Sequence, residues 1–178
     1  MSRSEIRIAG AGGQGVVTAG RILAEAAILS GANATHSQVY GPQSRGGASR
    51  SDVVIATEEI GFPLADHIDI LVVLSHEACS RYLPELADHG RLIVDTRCAP
   101  DSLNSDASQF PVVDTARAVS GGQLVTGVVA LGALQALAEI VDTQALRQAV
   151  GARVPPRHKA MNLEALRAGM QLVGVGAT

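Results

Sequence analysis

Glycines at positions 10, 12 and 15 fit the pattern G-x-G-x-x-G within the run Gly10-Ala11-Gly12-Gly13-Gln14-Gly15. The chemistry of such a run comes from its backbone. The first glycine permits a tight turn, the second lets an anion approach the main chain, and the third lets a helix and a strand pack closely. A helix that starts here would leave free N–H groups and a positive dipole end facing the ligand. A bound nicotinamide or flavin dinucleotide also needs a carboxylate roughly 20 residues further on, to hold a ribose. Ser30 to Gln43 contains no Asp or Glu, and Glu25 falls inside the predicted helix. No Lys-Ser or Lys-Thr pair follows a spaced glycine, so the P-loop pattern of ATP hydrolysis is missing. A bound dinucleotide is thereby disfavoured against three other readings: a turn that binds the phosphate of another ligand, a structural tight turn, and a turn that meets a partner subunit.

A second stretch, Tyr40-Gly41-Pro42-Gln43-Ser44-Arg45-Gly46-Gly47, reads as a constrained loop. Arg45 stands between a Gly-Pro bend and a Gly-Gly pair. A guanidinium held this way can take a carboxylate or phosphate through two parallel hydrogen bonds. By local composition alone, a solvated arginine on an ordinary surface loop is the favoured reading.

Other reactive types are less promising. Cys79 and Cys98 are the only cysteines, too few to complete a four-thiolate cluster or zinc site, so buried reduced thiols are expected. Asp52, Asp69 and Asp95 lie in or beside predicted strands, and Asp95 reads as a cap. Ser75-His76 lacks the G-x-S-x-G elbow of a hydrolase nucleophile. His36, His67, His89 and His158 are scattered without metal-ligand spacing and read as ordinary surface histidines. No catalytic residue and no metal ligand is assigned.

The elements that would position these groups alternate. Strands are predicted at Glu5–Ala9, Ala32–Val39, Ser51–Thr57, Ile70–Ser75 and Leu92–Asp95. Helices are predicted at Val16–Ser30, at His76–Ala87 with a break at Pro84, and at Gln123–Val141, Thr143–Val150 and Lys159–Val173. Residues 96 to 111 read as loop, Val112-Val113 as a short edge strand, and Ala116–Val119 as a helical turn. Gly31 sits where a helix C-terminal glycine belongs. Val125 to Leu137 carries apolar groups around most of its helix, so burial on more than one side is expected, against this chain's own layers or against a partner. The pattern defines an α/β class: a single Rossmann-like three-layer domain over residues 1–178, with a mostly parallel sheet and C-terminal helices.

Bulk properties exclude several functions. The chain has 178 residues, 47% of them hydrophobic, enough for a substantial core rather than disorder. A net charge of -3, with no Trp and only four aromatic residues (Tyr40, Phe62, Tyr82 and Phe110), disfavours generic nucleic-acid binding. No signal-peptide pattern and no long apolar run is present, so a soluble cytoplasmic chain without a membrane partner is expected.

Taken together, G-A-G-G-Q-G-V-V-T-A-G-R-I-L-A at Gly10–Ala24 and Y-G-P-Q-S-R-G-G-A-S-R-S-D-V-V-I at Tyr40–Ile55 resemble the gamma subunit, or gamma domain, of the 2-oxoacid:ferredoxin oxidoreductases, with the stand-alone 2-oxoglutarate subgroup nearest. The resemblance extends over most of the chain, including Glu59–Pro63, Ala130–Leu134 and Lys159–Gly169. Two positions depart from it. Gln43 stands where the family usually has Glu, and Gly127 stands near a common Asn.

The resemblance implies a multi-subunit enzyme that oxidatively decarboxylates a 2-oxoacid to an acyl-CoA. It would use thiamine diphosphate, magnesium, iron–sulfur clusters and coenzyme A. Alpha and beta subunits, a possible ferredoxin-like delta subunit, and ferredoxin itself are the implied partners, with a homo-oligomer possible for the isolated chain. Clusters and thiamine would sit on the other subunits. This chain would be structural and CoA-facing through Gly10, Gly12, Gly13, Gln14, Gly15 and Arg45, and inactive alone. The alternatives are a stand-alone CoA- or nucleotide-binding module, or a gamma subunit serving pyruvate, a branched-chain or an aryl 2-oxoacid.

Overall fold

The computed structural model describes residues 3–39, 48–100 and 107–175. The chain runs β1 (Arg3–Ala11), α1 (Val16–Leu29), β2 (Asn33–Val39), β3 (Ala48–Ala56), β4 (Ile68–Val73), α2 (His76–Tyr82), β5 (Leu86–Asp95), β6 (Ser108–Phe110), α3 (Val112–Ser120), α4 (Thr126–Ala138), α5 (Thr143–Arg153) and α6 (Lys159–Val175). Short 3-10 turns, Leu83–Glu85 and Pro156–His158, follow α2 and precede α6. Pro84 lies in the first of these and ends α2, as expected of a residue without an N–H.

The six strands form one sheet in the order β2-β3-β1-β4-β5-β6. β1 runs parallel to β4, β4 to β5, and β5 to β6. β3 is antiparallel to both neighbours, which makes it the one reversed strand among the described residues and leaves β2 pointing the same way as β1. The layers are unequal. Helices α1, α3, α4, α5 and α6 gather on one face, over Ile6, Ile8, Val53, Val72 and Ile93. The other face is covered by α2 and its neighbouring loops, over Ala9, Leu71, Val73 and Val94.

Consecutive side chains of β1 and β3 point to opposite faces, and because both faces are covered the two strands are almost wholly buried. α4 is buried without a break from Thr126 to Gln135. Its own chain supplies the cover, with α6, α3 and α1 all packed against it. Gly132 and Gly169 permit the α4–α6 crossing: a Cβ on Gly132 would lie 2.2 Å from the Leu166 carbonyl oxygen, and one on Gly169 2.0 Å from that of Val129.

Several boundaries differ from expectation. Val112 and Val113 open α3 and do not form a strand; the edge strand is Ser108–Phe110, inside the stretch expected to be loop. Asp95 is the cause, because its Oδ2 accepts the Val113 N–H at 2.7 Å and starts the helix, while both valines turn into the core. β5 begins at Leu86, before the expected Leu92, since the polar Ala87–Gly90 stretch hides a strand whose Leu86 pairs with Ile68 beyond a register shift. β3 begins at Ala48 rather than Ser51. The helix expected over Gln123–Val141 is shorter at both ends, closing at Glu139 with a positive φ of 45°. Gly31 has φ 86°, the left-handed conformation expected just past α1.

Candidate functional site

The glycine turn lies at the carboxyl edge of the sheet. Gly10 and Ala11 complete β1, and residues 12–15 lead into α1. Gly13 and Gly15 have φ 87° and 74°, angles costly for any side chain. Gly15 occupies the N-cap position and offers no side-chain acceptor, and the first turn of α1 holds no acid. Among the described residues no side chain caps the opening N–H groups of this fourteen-residue helix, and the dipole end is left positive. A shallow cleft of about 280 Å³ lies against it, bounded by Gly12, Gly13, Val16, Thr18, Ser49 and Leu124. Leu124, three-quarters exposed, forms an apolar wall.

Gln14 is buried, and its side chain does not line this cleft. Its Oε1 accepts the Ala11 N–H at 2.7 Å, and its Nε2 donates to the Leu74 carbonyl at 3.0 Å. Gly10 lies beneath this amide, where a Cβ would sit 2.4 Å from Oε1. The sequence assigned Gly15 to helix–strand packing, but its close neighbour is the start of α4. A Cβ on Gly15 would meet the Leu124 carbonyl oxygen at 2.6 Å, and one on Gly127 would meet the Gly15 carbonyl oxygen at 2.6 Å. The Gly127 N–H donates to the Gln14 carbonyl at 2.8 Å, so the unusual glycine noted in the sequence is part of the turn's support.

Arg45 and Gln43 lie outside the described residues. The flanking residues are described: Ala48 pairs with Ala11, and Arg50 pairs with both Ala9 and Val39. The two ends of the second loop thus meet the same sheet edge as the glycine turn.

The opposite sheet face carries a charge network that sequence reading missed. Arg7, 2% exposed, forks onto Asp52, bonds Glu85, and lies over the Tyr82 ring at 5.3 Å from the ring centre. Arg50 joins at 3.5 Å from Asp52 and 3.6 Å from Glu85, and stacks over the same ring with Arg81. Burial works against the Arg7 charge, yet hydrogen bonding and attraction to Asp52 and Glu85 outweigh it and raise its pKa. Asp52 is thereby taken up in structure. Asp69 accepts the Glu5 N–H, and Asp95 caps Arg97 and Val113. Ser75 caps α2 through the Ala78 N–H. Among the described residues, no group of three or more His, Cys, Asp or Glu side chains is placed to hold a metal ion.

His36 departs from the expected surface role. It is half-buried, with Nε2 2.7 Å from the Ser51 hydroxyl above Gly20. Burial, then Arg21, lowers its pKa against the opposing pull of Asp52. Cys79 and Cys98 are free and buried. Burial raises the Cys79 pKa. Burial, Asp95 and Cys79 push the Cys98 thiol up to about 12.

A glycine turn leading into a helix N-terminus, at the carboxyl edge of a mostly parallel sheet covered by helices on both faces, defines an α/β domain of the doubly wound class. Residues 5–172 match the pyruvate ferredoxin/flavodoxin oxidoreductase family, and the chain belongs to it. It is 41% identical over 183 residues to 2-oxoglutarate synthase subunit KorC of Methanothermobacter marburgensis, covering 98% of each chain. The gamma subunit of a keto/oxoacid ferredoxin oxidoreductase from Geobacter sulfurreducens PCA superposes with TM-score 0.85 at 38% identity, over 98% of each chain. A 2-oxoglutarate:ferredoxin oxidoreductase from Magnetococcus marinus shares the fold with TM-score 0.87 at 22% identity, over 98% of this chain and 32% of that one. No helix among the described residues is long and apolar enough to cross a membrane.

Proposed function

We propose that this chain is the gamma subunit of a cytoplasmic 2-oxoglutarate:ferredoxin oxidoreductase and faces coenzyme A. The end-to-end similarity to a 2-oxoglutarate synthase subunit carries the reading. Within the assembly, thiamine diphosphate, magnesium and iron–sulfur clusters belong to the alpha, beta and any delta subunits. This chain contributes the turn at Gly12, Gly13 and Gly15, whose uncapped N–H groups suit a phosphate. Gly10 and Gln14 shape the turn from below. Arg45 supplies the second contact from the neighbouring loop.

The test uses the complete complex purified anaerobically. CoA-dependent reduction of ferredoxin or a viologen dye is expected with 2-oxoglutarate, in preference to pyruvate, 3-methyl-2-oxobutanoate and indolepyruvate. The isolated chain is expected to be colourless and inactive. A cluster bound stoichiometrically by this chain alone, or turnover by it alone, would overturn the division of labour. Arg45→Ala is expected to raise the KM for CoA about tenfold to a hundredfold with complex size unchanged. Arg45→Lys should recover part of that, because a point charge replaces a fork. A variant complex that falls apart with its CoA dependence intact would make the loop an assembly surface.

A further inference from the structure

The segment joining β3 to β4, residues 57–67, crosses the amino edge of the sheet, opposite the glycine turn. Its main chain is fixed by side chains from β1 and β2. The Arg3 guanidinium donates to the carbonyls of Phe62 and Leu64 at 3.2 and 3.4 Å. The Thr35 hydroxyl donates to the Pro63 carbonyl at 2.7 Å, and Asn33 Nδ2 donates to that of Glu58 at 3.0 Å. The buried Glu5 carboxylate accepts the N–H groups of Asp66 and His67 at 2.7 and 2.9 Å. With its polar backbone turned inward, the loop holds Phe62 and Leu64 outward, 53% and 51% exposed.

Ordering a loop has an entropic cost, and these bonds fix one conformation that leaves two large apolar groups in water. Three exposed carboxylates, Glu58, Glu59 and Asp66, flank the pair along the same loop, none in an ion pair among the described residues. Asp66 and Asp69 share a surface hollow with Phe62, together with His67 and with Arg3, whose charge is already matched by Glu5. We infer that Phe62 and Leu64 form a docking knob for another subunit of the same complex. The complementary surface on that subunit is an apolar pocket rimmed by Lys or Arg. The carboxylates then steer the approach and reject acidic surfaces, while the knob supplies the central apolar contact. Docking at the amino edge leaves the carboxyl edge open to ligand. The inference rests on the subunit reading proposed above.

The experiment uses tagged chain expressed in its native host, recovered anaerobically, with co-purified subunits identified by mass spectrometry. Wild-type chain is expected to bring the other subunits in stoichiometric amount. Phe62→Ser/Leu64→Ser should weaken retention by roughly tenfold or more, while Ile28→Ser, another exposed apolar position, retains them. A photo-cross-linking residue at position 62 identifies the pocket, and the captured peptide should be apolar with flanking Lys or Arg. Wild-type chain recovered alone would overturn the subunit reading and this inference with it. Wild-type retention matched by full retention in a folded double variant would overturn only the knob. A cross-link to a second copy of this chain, or to an acid-rimmed peptide, would do the same.

Discussion

Arg7 on β1 and Asp52 on β3 face each other as a two-pronged pair, Nε to Oδ1 at 2.6 Å and Nη2 to Oδ2 at 2.9 Å, on the thinly covered face of the sheet. Both side chains are almost fully buried. Removing one partner leaves the other charge buried and unmatched, which costs about 3–5 kcal/mol, whereas replacing both with apolar groups is often neutral. Arg7→Met is therefore expected to lower unfolding stability by about 3 kcal/mol or more. Arg7→Met/Asp52→Leu should recover part of the loss, limited by Arg50 and Glu85, which lose their shared partners. Urea unfolding of wild type, both single variants and the double variant measures the coupling.

Gly15 and Gly127 lie at one crossing, where α1 and α4 begin side by side: a Cβ on Gly127 would meet the Gly15 carbonyl oxygen, and one on Gly15 the Leu124 carbonyl oxygen, each at 2.6 Å. Either alanine variant is expected to cost about 1–3 kcal/mol through overpacking, and Gly15→Ala about 1–2 kcal/mol more because its φ is 74°. Once one methyl has forced the helices apart, the second meets less resistance. The double variant should therefore lose less than the sum of the two, as read from thermal unfolding midpoints.

Period and punctuation made much of this fold legible. The 3.6-residue spacing of Ala19, Ile22, Leu23, Ala26 and Ala27 marked α1, and Gly31 marked its end. The apolar run near Ile70 marked a central strand. Val112-Val113 misled because β-branched residues favour strands locally, whereas the Asp95 cap that makes them helical lies far back in the chain. The burial of Gln14 and the Gly15–Gly127 contact are long-range and leave no periodic trace. Alternation along β1 puts Arg7 on the face opposite Ile6 and Ile8, but nothing local shows that this face is covered, and its partner Asp52 is forty-five residues distant. Phe62 lies inside Glu59–Pro63, one of the stretches of the resemblance, and Leu64 just beyond it, yet only the hydrogen bonds that Arg3 and Thr35 donate and Glu5 accepts show why the pair stands outward.

Neither cysteine is expected to react readily in the folded chain. With the Cys98 thiol pushed up to about 12, its thiolate fraction at pH 8 is on the order of one in ten thousand. Iodoacetamide labelling at pH 8 should be slow in buffer and rapid in denaturant. Because the folded pKa lies above the unfolded value near 9, this thiol's contribution is intact below pH 9 and is lost as pH rises toward 12. Rapid labelling of native protein at Cys98 would contradict its burial.

His36 gives stability an opposite dependence at the acid end. Its folded pKa lies below 6.5, so as pH falls through 6.5 the unfolded state takes up a proton before the folded state does. Stability present above that pH is lost on further acidification. His36→Gln keeps a hydrogen-bonding group near Ser51 but cannot titrate. The fall in Tm between pH 7.5 and 5.5 should be smaller in the variant than in wild type. An unchanged fall would assign the acid sensitivity to other groups.

Gln14 links the stability of the glycine turn to its use. The side chain joins the end of β1 to the exit of β4, accepting from Ala11 and donating to Leu74, while the main-chain carbonyl of Gln14 accepts the Gly127 N–H. Gln14→Glu keeps the shape and one acceptor but sets an oxygen against the Leu74 carbonyl. The lost donor costs about 1–3 kcal/mol at neutral pH. Protonation restores the donor, so the variant's deficit should shrink as pH falls through the raised pKa of the new carboxyl. If Gly12 and Gly13 receive a phosphate, the disturbed turn should raise the KM for CoA in the assembled complex by roughly threefold to tenfold with kcat little changed. Paired measurements of Tm and CoA titration at pH 7.5 and 6 separate the two effects. A variant that loses stability yet keeps its wild-type KM for CoA would mean that the turn holds the sheet edge together and meets a protein surface instead of the ligand.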